Sequence, residues 1–209
     1  MSRSYEAGLQ EIGDGLYAYL QPDGSWGWSN AGLVADGDGT LLVDTLYDRK
    51  LTERMLGEMR RAVPAAARID TLALLPRERV LFSGDILFNG SHPIAWAGPV
   101  SSWIAACDRI LALDVEVIVP GHGPLADKHA VRELRAYFEY LYAQARARHA
   151  EGMSPLEAAR SISLDRWAEW GERERLVVNV DCIYRELSGS REPPNPLEAF
   201  QQMAELACG

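Results

Sequence analysis

Two short stretches carry side chains whose types and spacing could do chemistry. One is Leu81-Phe82-Ser83-Gly84-Asp85-Ile86-Leu87-Phe88, and the other is Val117-Ile118-Val119-Pro120-Gly121-His122-Gly123. Each opens with an apolar run of the kind a buried strand shows, and each then brings small residues together with one metal-ligating type. A stiff strand holds an Asp or His at its end, and glycines let other groups approach closely. Taken alone, Asp85 after Ser83-Gly84 reads more readily as a turn Asp capping a strand end. The later Pro-Gly-His-Gly adds His122, a second residue of a type that can bind a metal.

The other candidates are weaker. His92 lies in a Gly/Pro-rich loop, Asn89 to Pro99. An exposed loop histidine and a pocket-lining or substitute ligand are equally good readings of it. His129 and His149 fall among charges on a long helical stretch and read as solvated surface. Trp26, Trp28, Trp96 and Trp103 flank the expected pocket; most read as core or rim packing, and Trp96 is the candidate for substrate contact. No Gly-x-Ser-x-Gly elbow, no Cys beside a His and no phosphate-cradling glycine motif is present, so serine, cysteine and nucleotide chemistry gain no support.

Asp85 and His122, with their flanks, resemble the metallo-β-lactamase-fold hydrolases. In that family a Gly-Asp after an apolar strand gives the carboxylate that bridges two metal ions, and a Pro-Gly-His-Gly gives the last histidine. The family also carries a denser Thr-His-x-His-x-Asp-His signature upstream of the Asp, then another lone His. Neither is here: the four histidines are His92, His122, His129 and His149, all after Asp85. The resemblance therefore implies a zinc-dependent hydrolase, two ions in an intact member, from which most of the metal site is missing.

The elements that must position these residues follow from pattern. Gly15 to Leu20 predicts a strand, and Pro22-Asp23-Gly24 a turn. Asn30 to Ala35 and Thr40 to Asp44 predict a hairpin around Asp36-Gly37-Asp38-Gly39. Asp44, next to Thr45, reads as the cap of the following helix. Leu51, Met55, Leu56, Met59 and Ala62 share one helical face, ended by Pro64. Ile69 to Leu75 reads as one strand, Pro76 to Arg79 as a turn, and Val80 to Ser83 as the strand that delivers Asp85. A helix through Trp103, Cys107 and Leu111 precedes Val115 to Val119, which delivers His122. Beyond Ala126 the pattern is helical throughout, with a helix start at Ser154-Pro155, helix from Glu172 to Leu187, a break at Pro193-Pro194, and a last helix from Leu197 to Ala207. Asn179 and Arg185-Glu186-Leu187 in this tail also resemble some family members.

The fold class is α/β: an incomplete αββα sandwich, metallo-β-lactamase-like, with a helical C-terminal extension. Residues 1–125 form the metallo-β-lactamase-like domain and 126–209 the extension. Around residue 72 two strands distant in a full-length member run together, which the resemblance reads as an internal deletion. Such a deletion exposes a sheet edge or apolar face and favours pairing with a second copy.

Composition bounds the rest. The 209 residues are 47% hydrophobic and 24% charged, enough for one sizeable core. A net charge of −9 argues against unspecific binding to nucleic acid or anionic membrane. No apolar run approaches the roughly 20 residues of a membrane span, and the first residues lack a signal-peptide core, so a cytoplasmic protein is expected. Cys107, Cys182 and Cys208 are far apart and odd in number, which favours idle thiols over disulfides or a zinc ribbon.

Two functions follow. In the first, a metal-bound hydroxide attacks an ester, lactone, amide or thioester carbonyl of a small molecule, with Asp85 and His122 as the ligands that remain. In the second, the chain is a non-catalytic deletion variant or pseudoenzyme that binds or dimerises. The second is favoured, because a catalytic zinc takes about three protein ligands and this chain offers two. A third arrangement has His92 and a second chain complete the site at a dimer interface.

Overall fold

The computed structural model describes residues 5–22, 28–36, 39–44, 46–63, 67–70, 73–96, 99–190 and 195–208. Several expected features fall outside these residues: positions 23–24 and 37–38 of the two turns, Trp26, Thr45, Pro64, Thr71, Leu72, Pro193 and Pro194. The chain forms two compact units that interleave in sequence, one of residues 1–89 with 111–131 and one of 90–110 with 132–209.

The first unit carries the strands. β1 (Gly8–Gly13), β2 (Leu16–Leu20), β3 (Ala31–Asp36), β4 (Gly39–Val43) and β5 (Ala67–Asp70) make a five-stranded sheet in that order. Its first three pairings are antiparallel, and β4 with β5 is parallel. The parallel step requires a crossover, and helix α1 (Arg49–Ala62) supplies it. A second sheet has the order β6 (Ala73–Leu75), β7 (Val80–Phe88) and β8 (Val117–His122), with β7 and β8 parallel.

Alternation along β2 explains the layering. Leu16, Ala18 and Leu20 point to one face and join Val80, Phe82 and Val119 of the second sheet in a shared core. Tyr19, on the opposite face, joins Ala31, Leu33 and Leu42 against Met55 and Met59 of α1. A period of two in the strands and of 3.6 in the helix thus gives a helix–sheet–sheet stack. Each fully buried Leu, Val, Met or Phe here contributes about 1.5–3 kcal/mol by leaving water, and each Ala less.

Two expectations need correction here. The cap of α1 is Asp48, whose carboxylate accepts from the Leu51 amide at 2.7 Å, and not Asp44. Asp44 instead adopts a left-handed backbone, φ 67°, just past the end of β4. The single strand expected over Ile69 to Leu75 is two strands in two sheets. Asp70 pairs with Val43 in the first sheet, and Ala73 pairs with Phe82 in the second.

The second unit is helical. It holds most of α2 (Val100–Ala112) and α3 (Lys128–Ala150), then α4 (Pro155–Ser161), two 3-10 turns at Asp165–Trp167 and Arg173–Arg175, α5 (Leu176–Leu187) and α6 (Pro196–Ala207). Ser154 and Glu157 form the reciprocal capping box that the sequence signals at the start of α4. α5 is buried along most of its length and packs on α4 and α6. Among the described residues no helix is long and apolar enough to cross a membrane. Cys107 and Cys182 are buried free thiols and Cys208 is an exposed one.

Candidate functional site

Asp85 and His122 come together in the first unit. The His122 Nε2 atom lies 3.4 Å from the Asp85 carboxylate. β7 does not stop before Asp85, as the apolar run to Ser83 suggests, but continues to Phe88. Gly84 pairs with Pro120 and Phe88 with His122, so four steps along β7 oppose two along β8. The extra residues bulge outward around Asp85, and its side chain is 63% exposed. His122 is held from the other side: its ring stacks on Phe88 with centroids 4.3 Å apart and planes 8° from parallel.

The backbone around the pair is built for close approach. A Cβ on Gly121 would meet the Asp85 carboxylate and the Gly84 backbone. Gly123 has φ +95°, and a Cβ there would meet the Asn89 carbonyl. Asn30, which sequence reading passed over, pins this loop. Its side-chain amide donates to the carbonyls of Pro120 at 3.1 Å and Gly123 at 2.7 Å. Its side-chain oxygen accepts from the Gln21 amide at 3.0 Å, and its own backbone amide donates to the Gly121 carbonyl. Asn89 adds a second tie, with its backbone amide on the His122 carbonyl at 2.9 Å and its side chain on Pro124. In the sequence, an Asn heading the apolar run to Ala35 is the signal that Asn30 offers.

His92 belongs to the second unit and is neither an exposed loop histidine nor loosely placed. It is 1% exposed, with Tyr137 and Trp170 as ring neighbours at 5.3 and 5.7 Å. Arg175 donates to its carbonyl at 3.0 Å, and its amide donates to Gly171. Asn179 holds the same loop, accepting from the Ala95 amide and donating to the Pro93 carbonyl, both at 2.8 Å. Burial, with the charges of Arg173 and Arg175 behind it, pushes the His92 pKa down to about 4. The imidazole is therefore neutral near pH 7.

Trp96 packs against Phe200 of α6 at 5.5 Å, and Trp103 against Phe138 at 5.5 Å. His129 is exposed, as expected. His149 is half-buried, packed edge-on against Tyr184 at 4.7 Å.

The ligand chemistry is limited. Zinc–ligand bonds of about 2.0–2.2 Å in a tetrahedron place neighbouring donors about 3.3–3.6 Å apart. The Asp85–His122 separation of 3.4 Å matches one such edge. Among the described residues, however, no three His, Cys, Asp or Glu side chains cluster as a metal site would require. A catalytic zinc needs three protein ligands and an open position. The described residues fit one edge of a metal site and do not complete a catalytic centre among themselves.

Residues 72–122, which contain both Asp85 and His122, match the model of the metallo-β-lactamase superfamily. The chain carries that superfamily's fold. A metallo-β-lactamase from Erythrobacter litoralis aligns with a TM-score of 0.52 at 13% identity, covering 66% of this chain and 98% of that one. A sec-alkylsulfatase from a Pseudomonas species aligns with a TM-score of 0.66 at 14% identity, covering 95% of this chain and 54% of that one. A β-lactamase-like protein 2 homologue of Caenorhabditis elegans is 24% identical over 141 residues, 65% of this chain and 46% of its own length. This chain thus spans about half the length of the curated relative it matches. The superfamily is one of metal-dependent hydrolases, generally using zinc.

Proposed function

We propose that this chain is a non-catalytic member of the metallo-β-lactamase superfamily, a hydrolase scaffold whose metal centre is reduced to Asp85 and His122. The observation that carries this reading is the two-donor site: a carboxylate and an imidazole 3.4 Å apart with no third donor clustered beside them among the described residues. Two donors leave a bound cation hydrated and poorly fixed. A lowered water pKa and an aimed nucleophile both depend on a fixed coordination geometry. On this reading the donors are missing between two strands. Asp70 ends a strand of the first sheet and Ala73 begins a strand of the second, at the point where the superfamily's histidine-rich segment would be expected.

The test is metal content together with turnover. The tag-free chain is dialysed against a weak chelator, its zinc is measured, and it is assayed on a β-lactam, an alkyl sulfate, a lactone and a thioester. The first two are chosen because relatives are a β-lactamase and an alkylsulfatase. The expected result is less than one zinc per chain and no turnover. Retention of one or more zinc equivalents, with turnover that Asp85→Ala and His122→Ala both abolish, overturns the proposal.

A further inference from the structure

We propose that α1 is a docking face for an acidic helix of a partner protein, seated along Lys50, Arg54, Gly57 and Arg61 with Tyr47 at one end. The inference makes no use of Asp85 or His122 and stands independently of the non-catalytic reading.

Spacing sets the face. Steps of four, three and four put Lys50, Arg54, Gly57 and Arg61 on one side of α1, turned away from the Met55 and Met59 that pack on the sheet. Lys50, Arg54 and Arg61 are exposed. Their charge is largely uncompensated. Arg54 reaches Glu58 at 3.5 Å, but Glu58 leans on the sheet, where it also accepts from the Leu9 amide at 3.3 Å. Lys50 and Arg61 have no ion-pair partner among the described residues. On a chain of net charge −9, a basic stripe runs against the overall balance.

Gly57 is the second observation. A glycine inside a helix weakens it relative to alanine. Packing does not demand one here: outside the helix's own backbone, a Cβ would meet only Arg61 Nη1, at 3.9 Å. What the glycine leaves is a gap in the middle of the stripe. Side chains at the crossing set how closely two helices pack, so the gap admits a rod. A fluid headgroup layer or an extended nucleic acid does not need such a gap, and the chain's net charge opposes both. A second copy presenting the same face would set cation against cation. The complement is a helix carrying carboxylates at the matching spacing. Tyr47, 73% exposed just before the Asp48 cap, adds an aromatic of the type that anchors interfaces.

The experiment uses a labelled, end-capped alanine-based helical peptide with Glu at its first, fifth, eighth and twelfth positions. Its fluorescence anisotropy is followed as the full chain is added. Saturable binding is expected, weaker by about ten-fold or more in Lys50→Glu/Arg61→Glu and in Tyr47→Ala. Gly57→Met should weaken it as much, although Met is the better helix former and should raise the thermal midpoint. A peptide of the same composition with its Glu residues spread around the helix should also bind about ten-fold less tightly. If the matched peptide shows no saturable binding, the proposal fails. If Gly57→Met binds it as the wild type does, the gap has no role and the proposal fails. If phosphatidylserine vesicles or polyuridylic acid bind as tightly and are released by the same charge reversals, the face is a general polyanion site. If the chain alone doubles in mass and Lys50→Glu/Arg61→Glu reverses it, the occupant is a second copy. Either of these two results also overturns the proposal.

Discussion

Two buried asparagines do the same task in the two units, and what lies beyond them differs. Asn30 ties the Pro120–Gly123 backbone, and Asn179 ties the Pro93–Ala95 backbone. Each supplies a donor and an acceptor where a loop has left the hydrogen-bonding ladder, so buried backbone groups stay paired. Beyond Asn179 the loop ends in His92, enclosed by aromatic rings. Beyond Asn30 it ends in His122 and the exposed Asp85, which touch each other. Loop geometry is encoded by glycines and buried amides, whereas chemistry is encoded by exposed donors. The first can persist after the second is depleted.

That contrast can be broken by substitution. The largest effect belongs to the glycine frame. Gly123→Ala combines a backbone clash with a left-handed φ, and unfolding stability should fall by about 4 kcal/mol. Gly121→Ala should come close to it. Denaturant titration checks both, and a wild-type midpoint in either variant would mean that the close packing around Asp85 is unimportant.

Next come the two clamps. Asn30→Ala and Asn179→Ala each orphan buried backbone groups at about 1–3 kcal/mol apiece, so each should cost about 3 kcal/mol. Equal costs would sharpen the parallel between the units. A negligible cost for Asn30 alone would end it.

The third prediction concerns acid. The His92 pKa is lowered in the fold to about 4 from 6.5, by burial first and then by Arg173 and Arg175. The unfolded chain therefore takes up the proton first as pH falls. The stability this group contributes is complete above pH 6.5 and is lost progressively down to about 4, by roughly 3 kcal/mol in all. His92→Gln should flatten the pH dependence of the unfolding midpoint across that window. The smallest effect is at the site itself. Asp85→Asn should change stability by less than about 0.5 kcal/mol, since the side chain is mostly exposed. A loss of several kcal/mol would show that Asp85 has a structural role.

Much of this was legible in the sequence because it is local. Weak alternation located β2, two apolar runs around an Asp/Gly turn signal located β3 and β4, period 3.6 located α1 and α2, and Ser154-Pro155 marked the start of α4. Asp85 and His122 could be paired because Gly84-Asp85 and Pro120-Gly121-His122-Gly123 stand in the order and with the flanks of the family they resemble. The remainder depends on partners far away in the chain. Asn30 meets residues about ninety positions on, and Asn179 meets residues more than eighty positions back, so no window of sequence contains either clamp. His92 looked like a loop histidine because its flanks are Gly, Ser and Pro, and nothing local announces that Tyr137 of α3, Trp170 and Arg175 close over it. Asp48 lost the cap to Asp44 in the sequence reading because both precede the same apolar face by a few residues.

The crowding of aromatic rings around His92 has a practical consequence for spectroscopy. Trp96, Trp103, Trp167 and Trp170 all belong to the helical unit, and Trp167 and Trp170 sit within 6.2 Å of each other beside Tyr137. Indole emission from this protein is thus mainly a gauge of one half of the molecule. A fluorescence melt will follow the helices, and loss of the strands that carry Asp85 and His122 will need a probe tuned to β structure.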